Sequence, residues 1–436
     1  MFESFGNLWR IADIRKRILI TLGMLAVFRF GSHIPVPGVN TAVLSTYFAQ
    51  MGGSVLGLFD MFVGGNLSRA TVFALGIMPY ISSSIILQIL GASIPFYQKL
   101  AKEGEEGRRK MTQHTRYLTV LIGTIQASAL AIFLQNLTVG NTPVLPFSGF
   151  LVKFSIIVTM VAGTIFLMWL GELITENGIG NGISLIIMMG ILARIPQQMI
   201  QFWRMLHSGA LSWTFAFIFA VFAILIVAAV VLITQGQRRI PIQYAKRVKG
   251  RKVYGGQSTH LPLNVNAAGV IPIIFAQSAL MFLPSFAGFF KGKMWADWLI
   301  NIFSPSSFLY NALYVVLIIV FAYVYTAIVI NPQELAGNLR KYGGFIPGIR
   351  PGRQTADYVD KVISRITLPG AAFFAFIAVL PSILMVKFNL PFYFGGTSII
   401  IIVGVALDTV RQLESQLLMR HYEGFMKKGR IRGRRR

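Results

Sequence analysis

Cysteine is absent from the 436 residues, and acidic side chains are scarce, with 15 Asp plus Glu against 40 Lys plus Arg. Without thiols the chain has no disulfide, no thiolate nucleophile and no cysteine metal site. The five histidines, His33, His114, His207, His260 and His421, are scattered without ligand spacing, which argues against a metalloenzyme. Charge of either sign is sparse at 13%, where ordinary soluble domains carry about 25%. With 55% hydrophobic residues and a mean hydropathy of +0.65, a soluble globular chain is excluded. No Walker-type glycine loop and no nucleophile elbow occurs, so any energy the molecule needs comes from elsewhere. The GIGNG run, 178–182, has no strand before it and reads as a relaxed turn between two apolar spans.

What is present is a series of apolar windows near the 20 residues a helix needs to cross about 30 Å of hydrocarbon. Ten are read, at 17–35, 70–91, 116–136, 153–173, 182–202, 213–234, 267–285, 310–330, 368–386 and 397–418. The second contains Pro79, Ser82, Ser83, Ser84 and Gln88, and the seventh follows Asn266 and contains Pro272, Gln277 and Ser278. Helices this polar suit a protein or water boundary better than lipid. The first follows Arg10, Arg15, Lys16 and Arg17, but no small-residue cleavage site follows it, so it is expected to be an uncleaved span.

The formal charge of +25 is mostly topology. Thirty-two of the 40 basic residues fall before span one, in the loops after spans two, six and eight, and after span ten. An even spacing of basic loops orients the chain with both termini cytoplasmic. The loop after span four, by contrast, carries no Lys or Arg. None of the 15 acidic residues lies at the centre of a span, which weakens ion-coupled transport. A membrane-anchored nucleic-acid-binding protein would also account for the charge, but the basic residues follow alternate loops and do not cluster in one domain.

Between spans one and two, residues 54–66 (SVLGLFDMFVGGN) form an apolar stretch too short to cross, flanked by Gly52, Gly53, Gly64 and Gly65. Either a re-entrant element that moves as a unit or a surface-lying turn fits it. Ile81 and Ile85, and again Ile187 and Ile191, are four residues apart and share a helix face. That spacing usually serves packing or lipid contact, and only in a minority of cases a hydrophobic constriction that closes by dewetting. Two long basic loops, 235–262 and 331–367, are punctuated by Gly and Pro. The first alternates as a hairpin would, and the second holds a Gly/Pro turn and a helix over 355–365; a partner or anionic lipid headgroups would each suit them.

Several strings together resemble one family, the bacterial SecY channel subunit of the Sec protein translocon: RATVFALGIMPYISSSII (69–86), ENGIGNGIS (176–184), GQSTHLP (256–262) with NAAGVIPIIF (266–275), NPQEL (331–335) with FIPGIRPG (345–352), and GGTS (395–398). The resemblance spans essentially the whole chain, in order. It implies an all-α polytopic membrane protein of ten transmembrane helices, in two inverted five-helix halves forming a clamshell around a central pore. The halves would be 1–202 and 203–418, followed by a basic tail, 419–436. A pore ring would comprise Ile81, Ile85, Ile187, Ile191, Ile274 and Ile401. The plug, within about 54–68, would centre on Leu58, Phe59, Asp60, Met61, Phe62, Val63, Gly64, Gly65 and Asn66, with Arg69 at its hinge. A lateral gate would hold Gln88, Gln277 and Ser278. Arg247, Arg251, Arg340, Lys341, Arg350 and Tyr422 would dock the SecA ATPase or the ribosome through rRNA backbone contacts. SecE and SecG subunits, signal sequences, nascent preproteins and membrane lipids would be the other partners. The chain is expected to be no enzyme, to need no cofactor or metal, and to lie in the bacterial inner membrane. The runner-up class is a secondary transporter with a small-molecule site.

Overall fold

A computed structural model of the chain describes residues 11–50, 55–139, 142–147, 149–244, 247–249, 252–254, 258–288, 294–304, 307–388 and 396–428. The ten expected spans correspond to helices whose ends shift for identifiable reasons. Helix α1 (Ala12–Gly31) begins amid the basic residues that precede the first apolar window. It is followed by the short helices α2 (Thr41–Gln50) and α3 (Val55–Phe62). Span two is shorter than its window. Thr71 bridges Pro35, residues 72–77 are turns, and helix α4 (Met78–Ser93) starts with Pro79 in its first turn, where a missing N–H costs no hydrogen bond. After α5 (Pro95–Lys102), span three extends back to Glu105 as α6 (Glu105–Asn136). Its first turns are charged and invisible to a hydropathy window, while Glu105 and Glu106 face the positive end of the helix dipole.

A two-strand ribbon, β1 (Thr138–Val139) and β2 (Thr142–Pro143), leads to α7 (Phe150–Asn177). Span five is two helices, α8 (Gly182–Leu192) and α9 (Ile195–His207), broken at Ala193 and Arg194. Then come α10 (Trp213–Gln235), four strands, α11 (Ile271–Gly288), α12 (Met294–Ile302), α13 (Phe308–Val329) and α14 (Pro332–Lys341). The helix expected over 355–365 is the first part of α15 (Arg353–Phe388), which runs on through Pro369 and Pro381. The last helix is α16 (Gly396–Lys428). Seven helical segments among the described residues are long and apolar enough to cross a membrane, and Met78–Gly91 and Ile271–Phe282 are shorter apolar helices.

The strands are where the alternating loop sequence predicts a hairpin. β3 (Gln237–Tyr244) pairs antiparallel with β6 (Ser258–Asn264), Arg239 opposite Pro262, and β4 (Arg247–Lys249) pairs with β5 (Lys252–Tyr254).

The chain forms two compact units, one from the described parts of Met1–Ile200, Ser285–Asp297 and Val405–Arg436, the other from those of Gln201–Pro284 and Trp298–Gly404. In the first, α6 packs on α7, and Leu130 and Leu134 of the one helix and Ile156, Met160 and Leu167 of the other are fully buried. A side chain at Gly163 of α7 would collide with the Val72 carbonyl, so glycine there lets the turns of 72–77 lie directly on the helix. In the second, α13 and α14 pack on α15.

Candidate functional site

The short apolar stretch expected to be re-entrant is a buried helix, α3, packed against α8. Phe59, Met61, Phe62 and Val63 are buried, and so is Asp60. Leu58 belongs to the helix by its backbone. The chain leaves α3 through Gly64 (φ +82°) and Gly65 (φ +81°), left-handed conformations that glycine adopts without strain. A Cβ on Gly64 would stand 2.8 Å from the Gly190 Cα, so this turn and α8 touch backbone to backbone. Asn66 closes the turn, its Nδ2 donating to the Val63 carbonyl at 2.8 Å. The following turns are tied to residues 34–36: the Val36 N–H donates to the Ala70 carbonyl (2.7 Å) and the Val72 N–H to the Ile34 carbonyl (3.0 Å).

Asp60 carries the one charge on this helix. Its Oδ2 accepts from Arg194 Nη2 at 2.7 Å and its Oδ1 from the Ser68 N–H at 2.7 Å. Arg69, expected at the hinge, is partly exposed and points its Nη1 toward His33 Nε2, 3.5 Å away. Sequence reading left Arg194 without a role, since nothing in a sequence links it to Asp60 across 134 residues.

Ile81 and Ile85 lie one turn apart on α4, Ile187 and Ile191 one turn apart on α8, Ile274 on α11 and Ile401 on α16; all six are buried. The polar residues of the two shorter apolar helices are accommodated within the protein. Gln88 donates to Ser84 Oγ (3.1 Å), Ser278 donates back to the Ile274 carbonyl (2.7 Å), and Gln277 is buried.

The two basic loops, separate in sequence, form one structure. Strand β7 (Gly344–Phe345) adds to β3, Gln243 opposite Phe345, giving the strand order β6-β3-β7. Beneath it Ile240, Leu263, Ile346, Val359 and Ile363 make a closed apolar cluster, with Leu335, Ile349 and Ile366 packed on its edge. Burial of the five aliphatic side chains contributes about 1.5–3 kcal/mol each to holding the two loops together. Arg340 and Lys341, in the last turn of α14, and Arg350, in the turn before α15, are exposed on it. The Thr355 hydroxyl donates to the Arg350 carbonyl (2.9 Å), and Gly348 and Gly352 take positive φ, so the arginine sits on a fixed turn. Arg247 is on strand β4 and Tyr422 on α16 by backbone, and Arg251 lies outside the described residues, as do 429–436 of the basic tail.

The GIGNG run is more than the relaxed turn its composition suggests. The Ile179 N–H donates to Thr21 Oγ1 (3.0 Å), the Gly180 N–H to Gln412 Oε1 (2.6 Å) and the Gly182 N–H to Thr175 Oγ1 (2.9 Å). Ile14 and Ile179 are buried together, with Leu413 and Leu417 against them. Side chains from α1, α7 and α16 therefore pair three N–H groups of this loop, the Ile179 N–H among them fully buried.

The arrangement of helices as a whole is matched in solved structures. A structure described as a protein-conducting channel aligns with a TM-score of 0.63, covering 92% of this chain and 92% of that one at 17% identity. The idle yeast Ssh1 complex bound to the yeast 80S ribosome aligns at 0.57 over 90% of this chain and 88% of that one, with 16% identity. The fold is thus that of the protein-conducting channels. The SecY family model matches residues 71–410. The protein translocase subunit SecY of Escherichia coli (strain K12) is 46% identical over 426 residues, 97% of this chain and 96% of its own. The chain belongs to the SecY family.

Proposed function

We propose that this chain is the pore subunit of a bacterial protein translocase, passing unfolded preproteins across the inner membrane and releasing hydrophobic segments sideways into lipid. The observation that carries this reading is the buried helix Val55–Phe62, too short to cross a membrane, packed on the helix that bears Ile187 and Ile191, in a chain similar to translocase subunits over nearly its full length. Residues 54–68 act as the plug, with Arg69 at its hinge. Ile81, Ile85, Ile187, Ile191, Ile274 and Ile401 form the constriction. Aliphatic side chains at one depth stay dry around a closed pore and seal a passing chain without binding it. Gln88, Gln277 and Ser278 belong to the lateral gate, where a helix surface must tolerate both lipid and water.

The chain supplies no nucleotide chemistry, so movement is driven by SecA or by the elongating ribosome. Both dock on the joint platform of the two basic loops, Arg350 foremost, with Arg247, Arg251, Arg340, Lys341 and Tyr422. An arginine fork on a fixed turn suits bidentate contact to phosphate or carboxylate. The platform and both termini are cytoplasmic by the distribution of basic residues, and SecE and SecG complete the complex. In vesicles reconstituted with the complex, Ile401→Asn and Ile187→Ser raise resting ion conductance or relax the requirement for an intact signal sequence. Wild-type behaviour of both variants in both assays overturns the ring.

A further inference from the structure

The seated helix Val55–Phe62 is held by unlike contacts. Gly64 on Gly190 is a close backbone approach with little area, and the buried Phe and Met side chains are non-directional. Of the three ion pairs among the described residues, Asp60–Arg194 has the most buried carboxylate, 2% exposed against 16% for Glu172 and 79% for Glu106. Arg194 sits in the break between α8 and α9, and a Cβ on Gly65 would stand 3.4 Å from its Nε, so the guanidinium lies along the turn that leaves the short helix. Its own side chain is 27% exposed.

We propose that Arg194 is a positioning residue that latches the short helix in its seat through Asp60, so that the helix leaves only when this ion pair parts. The inference rests on the plug reading of residues 54–68. The physical reason is an asymmetry between closed and open states. Seated, the carboxylate has lost nearly all its water and depends on the guanidinium and the Ser68 N–H. Removing one partner of such a pair is costly because it strands a buried charge. Unseated into a water-filled passage, both ions recover hydration, so a pair that resists small displacements does not forbid a complete one. A helix that must leave cannot be fastened by many directional bonds, and one charged contact meets that requirement.

The two charges are predicted to be unequal. Arg194→Gln strands a carboxylate that is almost wholly buried, whereas Asp60→Asn leaves a guanidinium that already reaches solvent and keeps an oxygen for Ser68. The test measures resting ion conductance of the reconstituted translocase complex. Arg194→Gln is expected to raise it about tenfold or more, Asp60→Asn by less, and the double variant to leak no more than Arg194→Gln alone. Arg194→Lys, which keeps the charge, is expected to stay near wild type, a rescue that a merely space-filling role would not give. Equal leak from Arg194→Lys and Arg194→Gln overturns the latch, and so does wild-type conductance for Arg194→Gln. Deleting residues 58–66 separates the two levels. If the deletion leaks and Arg194→Gln does not, the plug reading stands without the latch; if the deletion does not leak, the plug reading fails and the latch with it.

Discussion

The proposed plug helix with its exit turn, 55–65, and the proposed docking platform built from 237–264 and 344–366 are both buried against helices, yet they are held in different ways. The platform has a ladder of backbone hydrogen bonds from Gln237–Asn264 to Gln243–Ser258, a third strand, and a closed cluster of five aliphatic side chains. Each restraint duplicates another. Besides its buried apolar side chains, the short helix has a left-handed turn at Gly64 and Gly65, a backbone contact to Gly190 and one ion pair, to Arg194, and the backbone hydrogen bonds to 34–36 begin only at Ala70. Redundancy suits the docking role proposed for the platform, and a single directional contact suits the two positions proposed for the short helix. In the platform a small loss of free energy is absorbed by its neighbours, whereas in the plug it moves an equilibrium.

The largest expected effect tests the platform's cluster. Val359, on α15, is fully buried in the aliphatic cluster under the sheet, so Val359→Asp places a charge among apolar side chains. The cost is at least ~3 kcal/mol, enough to separate the strands from the helix. Limited proteolysis should cut between 237 and 264 in the variant and not in the parent, and SecA-dependent export should fall with it. An uncut variant would mean the ladder alone sustains the platform.

A smaller effect is expected at Gly64. Alanine there takes on a left-handed backbone, about 1–2 kcal/mol, and its Cβ meets the Gly190 backbone at 2.8 Å. Gly64→Ala should therefore unseat the plug and raise resting conductance while leaving the platform's protease resistance unchanged. Loss of both together would show that the two regions are not independent.

The spans were legible because an apolar window records the membrane directly, and the hairpin because alternation from Ile240 to Ile242 records a half-buried strand. Their ends were not. Pro79 reads as a polar interruption of span two but is the first turn of α4, and the charged start of α6 lies below any hydropathy threshold. The break at Arg194 inside span five is likewise hidden, because both flanks are helical and apolar. The platform was seen as two loops because the pairing of Gln243 with Phe345 crosses more than one hundred residues, and no local pattern encodes a contact of that range. The motif strings, by contrast, carried the family and hence the expected roles of the isoleucines, whose spacing alone reads first as packing or lipid contact.

The smallest effect sharpens the comparison most. Asn331 caps α14, its Oδ1 accepting from the N–H groups of Gln333 (3.1 Å) and Glu334 (3.4 Å). Asn331→Ala removes the cap at a cost of about 1 kcal/mol. Helix α14 also packs Leu335 on the apolar cluster and is followed, after Tyr342 and Gly343, by the strand that joins the sheet, so its far end, with Arg340 and Lys341, is held independently of the cap. Hydrogen exchange over 332–335 should quicken several-fold while 338–345 stays protected and export is unchanged, and Asn331→Asp should restore slow exchange. A deficit of the same size at Gly64 is expected to open the channel. If the cap variant instead loosens the whole of α14 and depresses export, the platform is no more redundant than the plug, and the contrast between a fixed docking surface and a poised gate falls.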